Sequence, residues 1–250
     1  MIRPTSYKKT LTNYPTNVLT FLKGYETSGG GIYDYVANIA PTTGVRTPAY
    51  TKTANITTNA TLPGTPGDWG QTTKTCFKNI TGSGTGQGLY LSSPLNTVTY
   101  DNTMMFRFYL NALSTTNGSM FMFNGISGGY PGYGGYGVFV EPNTTNLWGL
   151  SGGVTAVGPI TSSIALNTWY SLALTIDSSA HWIVYMNGTT YALGYVGINP
   201  IVYGGFSVMA TLYNGGLYDN VNGYMTDCIF VNKALPSNIC LGYSRGGSIF

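Results

Sequence analysis

The chain is 250 residues long, 43% apolar and only 8% charged, with a formal net charge of +3. Its 35 Gly and 12 Pro stay below the share that marks low-complexity disorder, so a two-layer core is within reach. Lys8-Lys9 is the only adjacent basic pair, and no run approaches the ~18 consecutive apolar residues of a membrane span; a nucleic-acid binder and a membrane-spanning chain are both excluded.

Residues 1–17 read as an extended polar arm, interrupted by Pro4 and Pro15. Residues 1–78 carry eight Lys/Arg against three acids, and the remainder carries three against five, so the basic end faces solvent or a partner. Residues 18–250 read as one β-sandwich, opening with a strand at 18–22. Residues 24–68 form a long Gly/Thr/Asn/Pro stretch, read as a surface excursion that ends near Asp68-Trp69-Gly70. Short strands follow at 88–91, 104–110, 119–124, 136–141 and 146–150, then at 169–176, 182–186, 191–193, 206–212 and 224–232. In 104–110, Met104, Phe106, Phe108 and Leu110 share one face, as Leu172, Leu174 and Ile176 do in 169–176; this period of two belongs to half-buried strands. Asp177 to Ala180 and Asn187-Gly188 supply turn chemistry, and one helical turn is expected after Leu235. Eleven short strands with frequent turns, and few glutamates to favour helix, predict an all-β, two-sheet antiparallel sandwich.

Residues 167–188 and 223–239 carry a more specific pattern. The first has Trp169, an alternating strand, a turn, and a second strand ending Tyr185-Met186-Asn187-Gly188. The second places Gly223, Asp227, Phe230, Asn232, Ala234 and Leu235 along a strand and the turn that follows it. Together they resemble the laminin-G-like, concanavalin A-like jelly-roll family, departing from it at Thr226, where that family often has a second acid. The resemblance implies a jelly-roll sandwich shared by lectins, glucanases, adhesion modules and virion parts. It implies no single function.

Jelly-roll glucanases set two carboxylates on alternate positions of one strand; here the closest acids in sequence are eight residues apart. His181 is the only histidine, and with Asp177, Ser178 and Ser179 it reads as a hairpin tip. Cys76, Cys228 and Cys240 have no metal-ligand spacing, and Cys228 falls where the related family has a buried apolar residue. The glycine-rich run 125–137 lacks the Lys-Ser/Thr of a phosphate loop. Its tyrosines Tyr130, Tyr133 and Tyr136 are candidates for ligand or partner contact, together with Trp148, because a phenol ring stacks on sugars while its hydroxyl hydrogen-bonds. No cofactor is expected, apart from the calcium that the family resemblance allows through Asp219, Asn222 and Asp227.

These readings predict a non-catalytic protein. The absence of a signal-like apolar run points to synthesis in a cytoplasm with reduced thiols. The charge-poor Thr/Asn/Gly/Tyr surface suits an assembled, exposed particle. The expectation is a structural component of a virus or phage virion, with other virion proteins or copies of itself as partners and glycans as possible contacts. A stand-alone carbohydrate-binding lectin, or a glycoside hydrolase of the same fold, are the alternatives.

Overall fold

A computed structural model of the chain describes residues 17–22, 24, 50–64, 75–80, 87–92, 94–95, 100–116, 118–125, 134–151, 155–196, 205–213 and 216–247. The arm at 1–16 lies outside the described residues.

Two antiparallel sheets stack face to face as a sandwich. The first runs β13 (Thr189–Tyr195), β12 (His181–Met186), β11 (Trp169–Ile176), β6 (Asn102–Ala112), β17 (Asn222–Val231), β4 (Thr75–Asn79) and β3 (Thr57–Thr61), with β1 (Val18–Leu22) pairing to the later part of β17. The second runs β10 (Thr155–Thr161), β9 (Leu147–Ser151), β8 (Gly135–Val140), β7 (Ser119–Gly125), β14 (Gly205–Val208), β5 (Leu89–Leu91) and β2 (Thr51–Lys52). A small hairpin of β15 (Thr211–Tyr213) and β16 (Gly216–Tyr218) stands beside them.

The strand period sets the core. Met104, Phe106, Phe108 and Leu110 point inward from β6, as do Leu172, Leu174 and Ile176 from β11, and they meet Phe121, Val138, Leu147 and Phe206 of the opposite sheet. Phe108 and Phe121 touch across the layers with ring centroids 4.1 Å apart. Side chains of the opposite parity, Met105 and Ala173, face outward and are covered by α1 (Ser237–Ser244) through Ile239, Cys240 and Tyr243. The single expected turn is therefore a two-turn helix. Its apolar positions recur at helical spacing, but Ser237, Gly242 and Ser244 dilute the pattern in sequence.

Two further corrections concern loops. The excursion at 24–68 is not loop throughout, since β2 and β3 add an edge strand to each sheet; exposed edges need no apolar alternation, which hid them. The expected strand at 206–212 is broken into β14 and β15 at Met209, whose φ is 65°. The turns held: Asn187 and Gly188, at φ 47° and 83°, join β12 to β13. No helix among the described residues is long and apolar enough to cross a membrane.

Candidate functional site

The expected contact residues do not form one surface. Tyr130 and Tyr133 lie outside the described residues. Tyr136, expected on an exposed loop, is fully buried on β8, packed against Trp182 and Phe230 with ring centroids 6.4 Å from each. Its hydroxyl accepts from Asn124 Nδ2 at 3.4 Å, and burial pushes its phenol well above the usual range. Strand parity explains the difference: Tyr136, Val138 and Val140 alternate inward, which outranks the every-third spacing of the tyrosines. Trp148 is half-buried on the outer face of the second sheet, opposite Phe139 on β8.

Of the expected calcium ligands, Asp227 stands apart from the other two. Asp227 lies buried under α1, its carboxylate 3.2 Å from Arg107 Nε. Asn222 begins the same strand, about 16 Å away at the usual rise per residue. Asp219 sits in the preceding turn, its carbonyl accepting the Met120 amide at 2.8 Å. Asp227 is thus committed to Arg107, and no three His, Cys, Asp or Glu gather as ligands among the described residues. Cys76 and Cys240 are buried and their thiols are pushed up to about 12, chiefly by desolvation, so neither is a ready metal ligand.

The structure instead assembles polar chemistry on the rim where β11 turns into β12. Asp177 closes an Asx turn: its Oδ1 accepts the Ser179 amide at 2.8 Å and the His181 amide at 2.9 Å, while Oδ2 lies 3.2 Å from His181 Nδ1. The His181 amide above all, then the Ser179 amide and the imidazole, holds the Asp177 carboxyl below the usual carboxylate range. Across the ladder His181 faces Tyr195 of β13, with ring centroids 6.4 Å apart and nearly perpendicular. Tyr195 is 71% exposed, the most exposed large hydrophobic side chain among the described residues. Ile176 pairs with Asn102, which brings the turn at Asp177 beside Asp101. Asp101 takes Lys233 Nζ at 2.8 Å and the Ala234 amide at 3.0 Å; against a desolvation that raises it, these contacts hold its carboxyl low.

An exposed aromatic ring beside a carboxylate and an imidazole of fixed orientation can stack on an apolar ligand face and hydrogen-bond its hydroxyls. Sequence reasoning treated Asp177 and His181 as turn residues only. The missed signal is the pairing of His181 with Tyr195 across two strands: the register set by Asn187-Gly188 alone would place Gly194 opposite His181, and the register shift beside Leu193 brings Tyr195 there instead.

A family model described as the concanavalin A-like lectin/glucanases superfamily matches residues 83–238, more than half the chain. The chain belongs to that superfamily. No curated protein matches it in sequence. Among solved structures, this lectin/glucanase-like sandwich is similar to Trypanosoma rangeli sialidase in complex with sialic acid, at 17% identity and a TM-score of 0.59, covering 93% of this chain and 34% of that one. It is also similar to domain 4 of AbnA, a GH43 extracellular arabinanase from Geobacillus stearothermophilus, in complex with arabinotriose; identity is 13%, TM-score 0.57, and coverage 91% of this chain and 98% of that one. The chain thus spans about a third of the sialidase and nearly the whole of the arabinanase domain. These likenesses correct the expectation of a non-catalytic protein. The same sandwich is built into glycan-cleaving enzymes, so spacing of acids along the sequence gives no ground for setting catalysis aside. At 11–18% identity the likenesses show the fold and establish no activity.

Proposed function

We propose that this lectin/glucanase-like sandwich binds a neutral saccharide on the Asp177–His181–Tyr195 rim. The observation that carries the reading is the juxtaposition of the exposed Tyr195 ring with the Asp177–His181 pair. A pyranose or furanose ring stacks an apolar face on the phenol and offers hydroxyls to the carboxylate and imidazole. The ionised Asp177 disfavours an anionic sugar at the same spot. Support comes from the arabinanase domain, whose structure holds arabinotriose and whose length this chain matches almost entirely. The test is a glycan array with the full chain, followed by calorimetric titration of the best neutral hit and of arabinotriose. Binding that falls at least tenfold in Tyr195→Ala, with an unchanged melting temperature, supports the reading. Binding to no glycan overturns it, as does binding that Tyr195→Ala leaves intact. Parallel titrations of Tyr130→Ala, Tyr133→Ala and Trp148→Ala test the tyrosine-rich run and the indole as further contacts.

A second reading, a virus or phage particle component, is favoured by one observation: 8% charged residues leave a surface poor at keeping neighbours apart. Finding the chain at fixed copy number in purified particles supports it, and its absence from them overturns it.

A further inference from the structure

The polar rim extends past Asp177 along the end of the first sheet. Five neighbouring strands, β13, β12, β11, β6 and β17, begin or finish there in that order. Their registers set one residue from each strand's end into a single row. Tyr195 pairs with His181, and the His181 carbonyl accepts the Asp177 amide at 3.1 Å. Ile176 pairs with Asn102, so Asp177 and Asp101, one residue beyond on each strand, lie side by side. Val231 pairs with Thr103, so Lys233 and Asp101, each two residues beyond, come together, Nζ to Oδ2 at 2.8 Å. The row reads Tyr195, His181, Asp177, Asp101, Lys233.

This row is open to solvent along its length. Side-chain exposure runs from 41% at Asp101 to 50% at His181, and the Tyr195 ring stands furthest out. One row in, Thr103 is buried, its hydroxyl donating to the Lys233 carbonyl at 2.8 Å and accepting the Leu235 amide at 3.0 Å. The five side chains therefore form a ledge. Its two carboxylates are fixed by main chain: Asp101 Oδ1 accepts the Ala234 amide at 3.0 Å, as Asp177 Oδ1 accepts those of Ser179 and His181. Carboxylates held in this way keep further lone pairs for ligand hydroxyls and lose little freedom on binding. Neighbouring strands are about 4.8 Å apart, so Tyr195 and Asp101, three spacings apart, are separated by roughly 14 Å.

We propose that the ledge takes a linear neutral oligosaccharide rather than a single sugar, with Tyr195 stacking one unit and the Asp101–Lys233 pair holding another further along the same chain. This chain-length requirement rests on the saccharide reading of the rim. One sugar ring covers the phenol and reaches the neighbouring strand, but it does not reach three strands away. Successive units of an extended glycan advance by about the distance between strands, so three or four of them span the row. Lys233 donates while Asp101 and Asp177 accept, which suits hydroxyl and ring oxygens along a glycan. One cation against two carboxylates disfavours a polyanionic chain.

The test is calorimetric titration of the full chain with linear arabino-, xylo- and gluco-oligosaccharides of one to five units. In a series that binds, affinity should rise about tenfold or more between two units and four, then level off. Asp101→Asn, which tolerates the φ of 54°, and Lys233→Ala should each weaken the four-unit ligand about fivefold or more and leave the two-unit ligand unchanged. Tyr195→Ala should weaken both. All three variants should melt with the wild type, because an exposed ion pair adds little to stability. Affinity independent of length overturns the proposal, as does a four-unit ligand indifferent to both pair variants. Binding to none of these series overturns it too. A single sugar or branched glycan that still needs Tyr195 would then leave the rim reading standing, so the two failures are distinguishable. The Ala234 amide, bonded to Asp101, needs no variant: its NMR resonance should move with four units and not with two. A resonance that four units leave in place overturns the far contact.

Discussion

Arg107 on β6 and Asp227 on β17 form an ion pair sealed beneath the C-terminal helix, Nε to Oδ2 at 3.2 Å, with both side chains almost wholly buried. The guanidinium also donates to the Gly247 carbonyl at 2.8 Å and lies 4.8 Å from the Tyr243 ring centroid, and the Tyr243 hydroxyl donates to the Asp227 carbonyl at 3.2 Å. The pair thus ties two central strands to α1 and to the residues after it. Removing one partner strands a buried charge, so Arg107→Met should destabilise by about 3–5 kcal/mol in urea unfolding. Arg107→Met with Asp227→Asn should recover part of that loss, because no charge is left unpaired. Asparagine is the apt replacement, since Asp227 sits at φ 50°. A double variant as unstable as the sum of the two singles would refute the coupling.

Gly223 lies where β17 crosses between β4 and β6, paired with Asn79 on one side and Leu110 on the other. A Cβ built there would run into the Tyr109 carbonyl oxygen, which is backbone and cannot step aside. Gly223→Ala should therefore lose roughly 2–3 kcal/mol of stability in chemical denaturation, although alanine is ordinarily a mild exchange. Gly194→Ala, which meets nothing within 4 Å, is the comparison; its φ of 76° limits the expected loss to about 1 kcal/mol.

Where one face of a strand is apolar and the other is not, the sequence already contains the answer. Phe106 and Phe108 alternate with Met105 and Arg107, and Leu172 and Leu174 with Ala173, and all of them face as the alternation requires. β3 carries no such signal, since Thr57 to Thr61 is an edge with both faces polar, and its placement depends on Ala60 finding Cys76 across the ladder. The rim was legible only in parts. Asp177 announces a turn, yet nothing near it in sequence indicates that Tyr195, fourteen residues past His181, is its neighbour; that follows from the hairpin register together with the shift beside Leu193, which no residue pattern announces. Asp227 was matched to a family position, but its partner Arg107 comes from a strand 120 residues earlier, and only the sheet order joins them.

Cys76 and Cys240 illustrate burial acting on reactivity. With thiols pushed up to about 12, only about one molecule in ten thousand carries a thiolate at pH 8. Cys228, in the core between the sheets, is equally shielded from solvent. Ellman's reagent should therefore label native protein very slowly and titrate three thiols at once in denaturant. Rapid labelling of one cysteine under native conditions would contradict the packing around it.

Asp219 gives stability a pH dependence of defined sign. The residue lies between β16 and β17 at φ 55°, and burial pushes its carboxyl up to about 6, with the Thr211 hydroxyl opposing the shift. A carboxyl whose folded value is above its unfolded value binds its proton more tightly in the folded state. That contribution is complete below about pH 4, the unfolded value, and disappears as pH rises through 6. Its size is of the order of 2–3 kcal/mol, two units of pKa at about 1.4 kcal/mol each. Asp219→Asn keeps the backbone conformation and has no charge to desolvate, so it should be more stable than wild type at pH 7 to 8 and nearly equal at pH 4. Asp101 and Asp177 have carboxyls held low and contribute the opposite slope, stability lost as pH falls, but they are common to both proteins and cancel in the difference. Urea unfolding of the pair from pH 4 to 8 measures that difference directly. A gap that stays constant with pH would mean that the Asp219 carboxyl ionises as easily in the folded chain as in the unfolded one.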